Sequence, residues 1–215
     1  MKEVKTKVKH KEDIKLSILN AAKTLFTEKG FEATSIRNIA SEIGYSPTTI
    51  YLYYKDKNDI IYTLHQEGFD ILRNKLTVLA FVENPFERLK ALGKAYLKFA
   101  KEHRDYYELM FIQKEPMNFL DQDPNKEIWE GGRQIFSFIV GTISECQNMG
   151  YFNEDSPNDI ALHSWGFVHG LCSLYLTTRL EKVACENFST EPAEVLLDSA
   201  FNAYIRFVEQ AKRDI

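Results

Sequence analysis

The stretch Ser35-Ile36-Arg37-Asn38-Ile39-Ala40-Ser41-Glu42-Ile43-Gly44-Tyr45-Ser46-Pro47-Thr48-Thr49-Ile50-Tyr51-Leu52-Tyr53-Tyr54 decides the reading of this 215-residue chain. Ile36, Ile39, Ala40 and Ile43 fall at i, i+3, i+4 and i+7, the spacing of one helical face. Gly44 follows that stripe directly, and glycine there supplies the positive φ that ends a helix sharply. Ser46 suits an N-cap and Pro47 the first helical position, so a second short helix starts at once. Two short helices, over 35–43 and 47–53, joined by a tight glycine turn are the geometry of a helix-turn-helix, with the motif over 35–54. In the second helix Ile50 can point inward onto Ala40 and Ile43, which leaves the threonines and tyrosines on outer faces. Such a face is poor for a core and good for a major groove. Threonine hydroxyls reach phosphates or base edges, and threonine methyls meet thymine methyls. Lys55-Asp56-Lys57 comes next; Asp56 suits an N-cap with Asp59 three residues on. A helix N-terminus flanked by two lysines makes a phosphate site.

The helical period continues outward. Ile14, Ile18, Ala21, Ala22, Leu25 and Phe26 form a stripe ahead of the motif. Downstream, Asn84-Pro85, Asp123-Pro124 and Ser156-Pro157 repeat the cap-then-proline pattern of Ser46-Pro47. Glu191-Pro192 reads as a further start, and Pro116 stands where an apolar run ends. No segment alternates at period two for long enough to be a convincing strand. The chain therefore reads as all-α, with about nine helices over 11–29, 35–43, 47–53, 57–80, 85–102, 104–114, 124–149, 157–183 and 191–213. The expected organisation is a basic flexible tail over 1–10, a helix-turn-helix domain over 11–57 and a helical body over 58–215.

Charge divides along the same line. Residues 1–60 hold 11 Lys/Arg against 8 Asp/Glu, and the remainder 16 against 23. A basic head on an acidic body suggests that the head meets a polyanion. Three scattered cysteines, with no Cys-x-x-Cys, argue against a disulfide framework and a zinc clip. Ile160 to Thr178 is uncharged, but eight of its 19 residues are His, Ser, Thr or Gly, so it reads as a buried helix rather than a membrane span. No apolar run follows the lysine-rich start, so no signal peptide is expected, and the cytoplasm is the expected compartment.

The run Ile18-Leu19-Asn20-Ala21-Ala22, Leu25-Phe26-x-x-Lys29-Gly30-Phe31-x-x-Thr34-Ser35-Ile36, Ile39-Ala40, Gly44-Tyr45-Ser46, Thr49-Ile50-Tyr51-x-Tyr53-Tyr54 and Lys55-x-Lys57 resembles the DNA-binding domain of TetR-family (tetracycline-repressor-like) transcriptional regulators. Pro47 and Tyr54 are its small departures. The resemblance implies that Thr34 caps the second helix near a phosphate. It sets Ser46, Thr48 and Thr49 at the start of the recognition helix. Of Tyr51 and Tyr54, one donates to a phosphate and the other packs against the first helix, with Tyr51 favoured as the donor. Leu52 and Tyr53 would bias sequence choice, and Lys55 and Lys57 would contact phosphates.

For the body the resemblance implies a dimer made by the last two helices and a small-molecule pocket. The stripe with Leu197, Phe201, Tyr204 and Ile205 is wide enough to face both a core and a partner subunit. Trp165-Gly166-Phe167-Val168-His169-Gly170 looks like the Trp-x-x-x-His-Gly signature of one TetR C-terminal subclass. Trp165 and His169 stand four apart on one helical face, as a ligand site or as a packing pair. Tyr106, Tyr107, Phe111, Trp129 and Phe136 could line an apolar pocket or be plain core. A ligand held there would be mainly hydrophobic. No cofactor and no metal is expected, and Asp159 with His163 is better read as a helix-start acid and a core histidine. Enzyme readings lack a motif: there is no glycine-rich phosphate loop and no Gly-x-Ser-x-Gly. Three readings stay open. One is a homodimeric repressor that leaves a palindromic operator when a small hydrophobic effector binds. The second is an effector-free DNA-binding protein whose body contacts another protein. The third is an all-helical enzyme with a vestigial head.

Overall fold

A computed structural model describes residues 2–114, 130–152, 155–210 and 212, with side chains from residue 11 onward. The regular structure of these residues is helical. In chain order the helices are α1 (Lys2–Lys29), α2 (Ile36–Glu42), α3 (Pro47–Tyr51), α4 (Lys57–Thr77), α5 (Pro85–Glu102), α6 (Arg104–Phe111), α7 (Glu130–Gln147), α8 (Pro157–Leu176), α9 (Arg179–Asn187) and α10 (Ala193–Gln210). A 3₁₀ turn, Val78–Phe81, follows α4. None of the described helices is long and apolar enough to cross a membrane.

Among the described residues, two helix boundaries differ from the sequence expectation by more than a turn. α1 begins at Lys2, so the segment read as a tail over 1–10 continues the first helix. No proline or glycine separates it from Lys11 onward. The single helix expected over 157–183 is two. The break is at Thr178, whose φ is +58°, a left-handed conformation that a β-branched residue rarely adopts. With neither glycine nor proline there, no local signal announced it.

The chain packs as two compact units, Met1–Asp70 with Asp105–Ile128, and Ile71–Arg104 with Trp129–Ile215. In the first, Ile18, Ala22, Leu25 and Phe26 of α1 are buried, as are Ile39 and Ala40 of α2, Ile50 of α3, and Ile60, Ile61 and Leu64 of α4. Each set keeps the 3- and 4-residue spacing that lets a helix bury one face. The α6 segment belongs to this unit: the Tyr106 hydroxyl donates to Glu67 at 2.9 Å, and Lys23 pairs with Asp105 at 3.0 Å.

The second unit gathers α5, α7, α8, α9 and α10. Arg88 Nη1 of α5 donates to both carboxylate oxygens of Glu145 on α7, at 3.1 and 3.0 Å. Phe86 stacks on Tyr151 with ring centroids 4.1 Å apart, in a cluster with Cys146 and Val208. Where α5 meets α10 the approach is close, since a β-carbon on Gly93 would lie 2.6 Å from the Phe201 ring. Only glycine fits there.

Candidate nucleic-acid interface

The helix-turn-helix is fixed by caps at each turn. Ser35 is extended (φ −117°, ψ 160°), accepts from the Asn38 amide, and takes the Asn38 side chain back on its own amide, a reciprocal capping box. Gly44 adopts φ +71°, and its N–H donates to the Ser41 carbonyl at 3.2 Å. Ser46 Oγ then accepts from the Thr49 amide at 3.2 Å and lies 3.1 Å from the Thr49 hydroxyl, with Pro47 as the first helical residue. Ile50 is fully buried beneath. The outer face of α3 is open: Ser46, Thr48, Tyr51 and Leu52 are exposed, and Thr49 and Tyr53 are half-buried. Leu52 is 73% exposed and offers apolar area on this face.

The two tyrosines separate by burial. Tyr51 is 56% exposed, whereas Tyr54 is buried with Lys15 of α1 5.7 Å from its ring centroid. Tyr54 is therefore the inward member of the pair and Tyr51 the outward one. Among the described residues no hydrogen-bond partner meets the buried Tyr54 hydroxyl, and burial with Glu67 and Asp59 nearby pushes it well above the usual phenol range.

Thr34 needs a correction. It does not cap α2; Ser35 does. The Thr34 side chain is buried, with its hydroxyl on the Leu25 carbonyl at 3.1 Å and the Gly30 carbonyl at 2.9 Å. It closes the C-terminal end of α1 and is not presented to a phosphate. Lys55 is exposed, as expected. Lys57 is not: its Nζ lies 2.6 Å from the Phe31 carbonyl oxygen and 4.0 Å above the Phe31 ring centroid. The start of α4 also differs from a bare anion site. Asp56 accepts from the Asp59 amide at 2.8 Å, and Asp59 accepts from the Lys55 amide at 3.0 Å. These carboxylates take N–H groups that a phosphate would use. Sequence reasoning passed over Arg37 and Tyr45, both exposed beside this face. The inward spacing of Ile36, Ile39 and Ala40 already implied that Arg37 points out.

The candidate effector residues fall into both units. In the first, Tyr107 is fully buried and tilts against Phe111, with centroids 5.3 Å apart; Phe111 meets Phe69 edge-on. In the second, Phe136 is half-buried on α7. Trp165 and His169 of α8 converge on one hydroxyl that the sequence reading missed. Trp165 Nε1 donates to Tyr96 Oη at 3.2 Å, and Tyr96 Oη lies 3.2 Å from His169 Nδ1. An indole N–H can only donate, so Tyr96 Oη accepts from Trp165, and the direction of its bond with His169 Nδ1 is set by the imidazole tautomer. Burial lowers the His169 pKa, in keeping with a neutral ring. Trp129 lies outside the described residues.

Of the residues expected at a dimer interface, Leu197 and Phe201 require correction. They are 0% and 2% exposed within the chain's own second unit, because the apolar stripe of α10 faces inward. Tyr204 is half-buried and stacks on Phe167 at 4.0 Å, and Ile205 packs against the Phe86 cluster. On these last long helices the exposed large apolar residues are Leu162 and Leu174 of α8, and Val195 and Phe207 of α10. Among the described residues no group of three or more His, Cys, Asp or Glu is placed to hold a metal ion.

Comparison with known proteins agrees with this geometry. Residues 18–62 match the family model for bacterial regulatory proteins of the tetR family, and residues 89–200 match that for the tetracyclin repressor-like C-terminal domain. The transcriptional regulator HbdR of Aromatoleum sp. (strain CIB) is 32% identical over 178 residues, covering 79% of this chain and 76% of that protein. The transcriptional repressor KstR2 of Mycobacterium tuberculosis is 24% identical over 144 residues, 66% of this chain and 71% of that one. The KstR2 structure superposes over 93% of this chain and 95% of its own, with 17% identity and a TM-score of 0.69. AibR, solved with isovaleryl coenzyme A and operator DNA, superposes over 88% of this chain and 96% of its own at 18% identity, with a TM-score of 0.63. A helix-turn-helix with an open recognition face and family matches over both parts of the chain give one conclusion: this chain belongs to the TetR family and is a DNA-binding transcriptional regulator, not an enzyme.

Proposed function

We propose that the protein is a homodimeric repressor that grips a palindromic operator with two α3 helices and releases it when a small hydrophobic effector binds the helical body. The observation that carries this reading is the α3 face. Thr48, Tyr51 and Leu52 stand in solvent on a turn that Ser46, Pro47 and Gly44 hold rigid. In this reading Thr48, Thr49, Leu52 and Tyr53 meet base edges, while Ser46, Tyr51 and Lys55 position the helix on phosphates. Lys57 can share a phosphate through its remaining protons, and Arg37 and Tyr45 join the footprint. Half-sites then lie about one helical turn or more apart. The protein would act in the cytoplasm, where such DNA lies.

The dimer would form through the outward faces of α8 and α10. Leu162 and Leu174 flank Gly166 and Gly170 on α8, and a β-carbon on either glycine would meet nothing within 4 Å. That leaves room for a partner helix to approach closely. Val195 and Phe207 supply apolar area on α10.

For the effector, Phe136 and Trp165 with His169 are the candidate lining within the second unit, mainly apolar with few polar groups. The AibR complex pairs this fold with an acyl-coenzyme A and operator DNA. The apolar acyl chain is the part such a lining would hold, so acyl-coenzyme A esters are the class to test first. α4, continuous from Lys57 to Thr77, would carry the change from body to head. The test is to select the operator from random DNA and then titrate a panel of acyl-coenzyme A esters into the complex. An active effector should lower operator affinity, and operator should lower effector affinity by the same factor. A panel that changes operator affinity in no case would remove the release mechanism and favour the effector-free regulator.

A further inference from the structure

Between α5 and α10 runs an open groove of about 380 Å³. That volume falls in the range of small-ligand sites. Its lining is mainly polar, with a small apolar base of half-buried Ala91 from α5 and Ile205 from α10 over the edge of the buried Phe201. Lys94 and Arg206, both exposed, also line it. Among the described residues, neither cation has a carboxylate within ion-pair distance. Lys90, also on the wall, differs: it pairs with Glu87 and with Glu209, the latter at 3.3 Å. The groove thus has a small apolar base, two cations without an acid partner and one cation paired with two acids.

We propose that this groove is a binding site for an amphipathic organic monoanion, a carboxylate on an apolar chain. The carboxylate would sit between Lys94 and Arg206, with the guanidinium taking it in a two-pronged hydrogen bond. The chain would lie over Ala91, Ile205 and the edge of Phe201. Glu87 and Glu209 repel a second negative group, which selects a ligand with one charged head. The site is separate from the Tyr96 hydroxyl and its two α8 partners. Glu87, Lys90, Ala91 and Lys94 share one face of α5, and at about 100° per residue Tyr96 projects from the opposite face. The inference therefore stands apart from the effector reading above.

The test is an amide-resolved NMR titration of the deuterated full-length protein with decanoate, using decanol and inorganic phosphate as controls. Saturable shifts should centre on the amides around Lys94 and Arg206, with decanoate bound at least tenfold more tightly than either control. The double variant Lys94→Ala/Arg206→Ala alters two exposed side chains and should weaken decanoate at least tenfold while keeping the native spectrum. Equal binding of decanol would make the groove a plain apolar patch, and equal binding of phosphate a plain cationic one; either overturns the proposal. Shifts confined to the Tyr96 face, or unchanged affinity in the double variant, also overturn it. So would a glutamate-rich peptide that occupies the groove when decanoate does not, because the face would then dock protein.

Discussion

Lys57 Nζ sits 2.6 Å from the Phe31 carbonyl oxygen and 4.0 Å above the Phe31 ring centroid, so the first residue of α4 is tied to the segment after α1. Lys55, two residues earlier, stands in solvent. The two lysines should therefore separate stability from DNA binding. Lys57→Ala is expected to lower the unfolding free energy by about 1–2 kcal/mol, through loss of a charge-assisted hydrogen bond and a cation–π contact. Lys55→Ala should leave stability unchanged. Urea denaturation of both variants checks this; equal midpoints would contradict it.

The turn makes a second prediction. Gly44 has open space around its α-carbon, so Gly44→Ala suffers only from the +71° φ and should destabilise by about 1 kcal/mol. Gly44→Asn should do less harm, since asparagine tolerates the left-handed region. Ser46→Ala should cost about 1 kcal/mol through the lost cap on Thr49. Thermal unfolding of the three variants would show this ranking, and a neutral Gly44→Ala would refute the strain argument.

Acid should weaken the first unit through His65. Burial pushes this imidazole down to about 4, beside the Phe69 ring at 4.9 Å. In the unfolded chain it titrates near 6.5, so between these values the unfolded state binds more protons than the folded one. Its contribution is whole above about pH 6.5 and is lost as the pH falls towards 4. Between pH 7 and pH 5 the loss is about 2 kcal/mol. Denaturation curves at the two pH values measure it, and His65→Leu should remove that part of the slope. A wild-type slope no steeper than that of the variant would show that His65 is not buried neutral.

Much of the head was legible because its signals are local. Gly44, Ser46 and Pro47 each act within a turn of themselves. The resemblance alone makes Thr34 the cap of α2, whereas the neighbouring Ser35 is the cap. What distinguishes them is tertiary: α1 supplies two carbonyls that claim the Thr34 hydroxyl. Thr178 breaks a helix with neither glycine nor proline. Leu197 and Phe201 were set at an interface because a stripe shows that a face is apolar, not whether its own core covers it. Tyr96 joins Trp165 from 69 residues away, beyond any local pattern.

Self-association tests the reassigned surface. Leu162→Glu with Phe207→Glu should give monomers in sedimentation, because both side chains are exposed and apolar in the single chain. Leu197→Ala should leave association intact and destabilise the fold by about 2–5 kcal/mol, as a fully buried leucine does. A double glutamate variant that still sediments as a dimer would place the interface elsewhere.

The most direct test of the central claim is fluorescence anisotropy with the selected operator and a scrambled duplex, measured across a salt series. The wild type should prefer the operator strongly, with affinity falling steeply as salt rises. Lys55→Ala should weaken both duplexes alike and reduce the salt slope by about one unit. Thr48→Ala or Leu52→Ala should instead erode the preference for the operator. Equal affinity for the two duplexes, or a preference untouched by every change on the α3 face, would contradict the account.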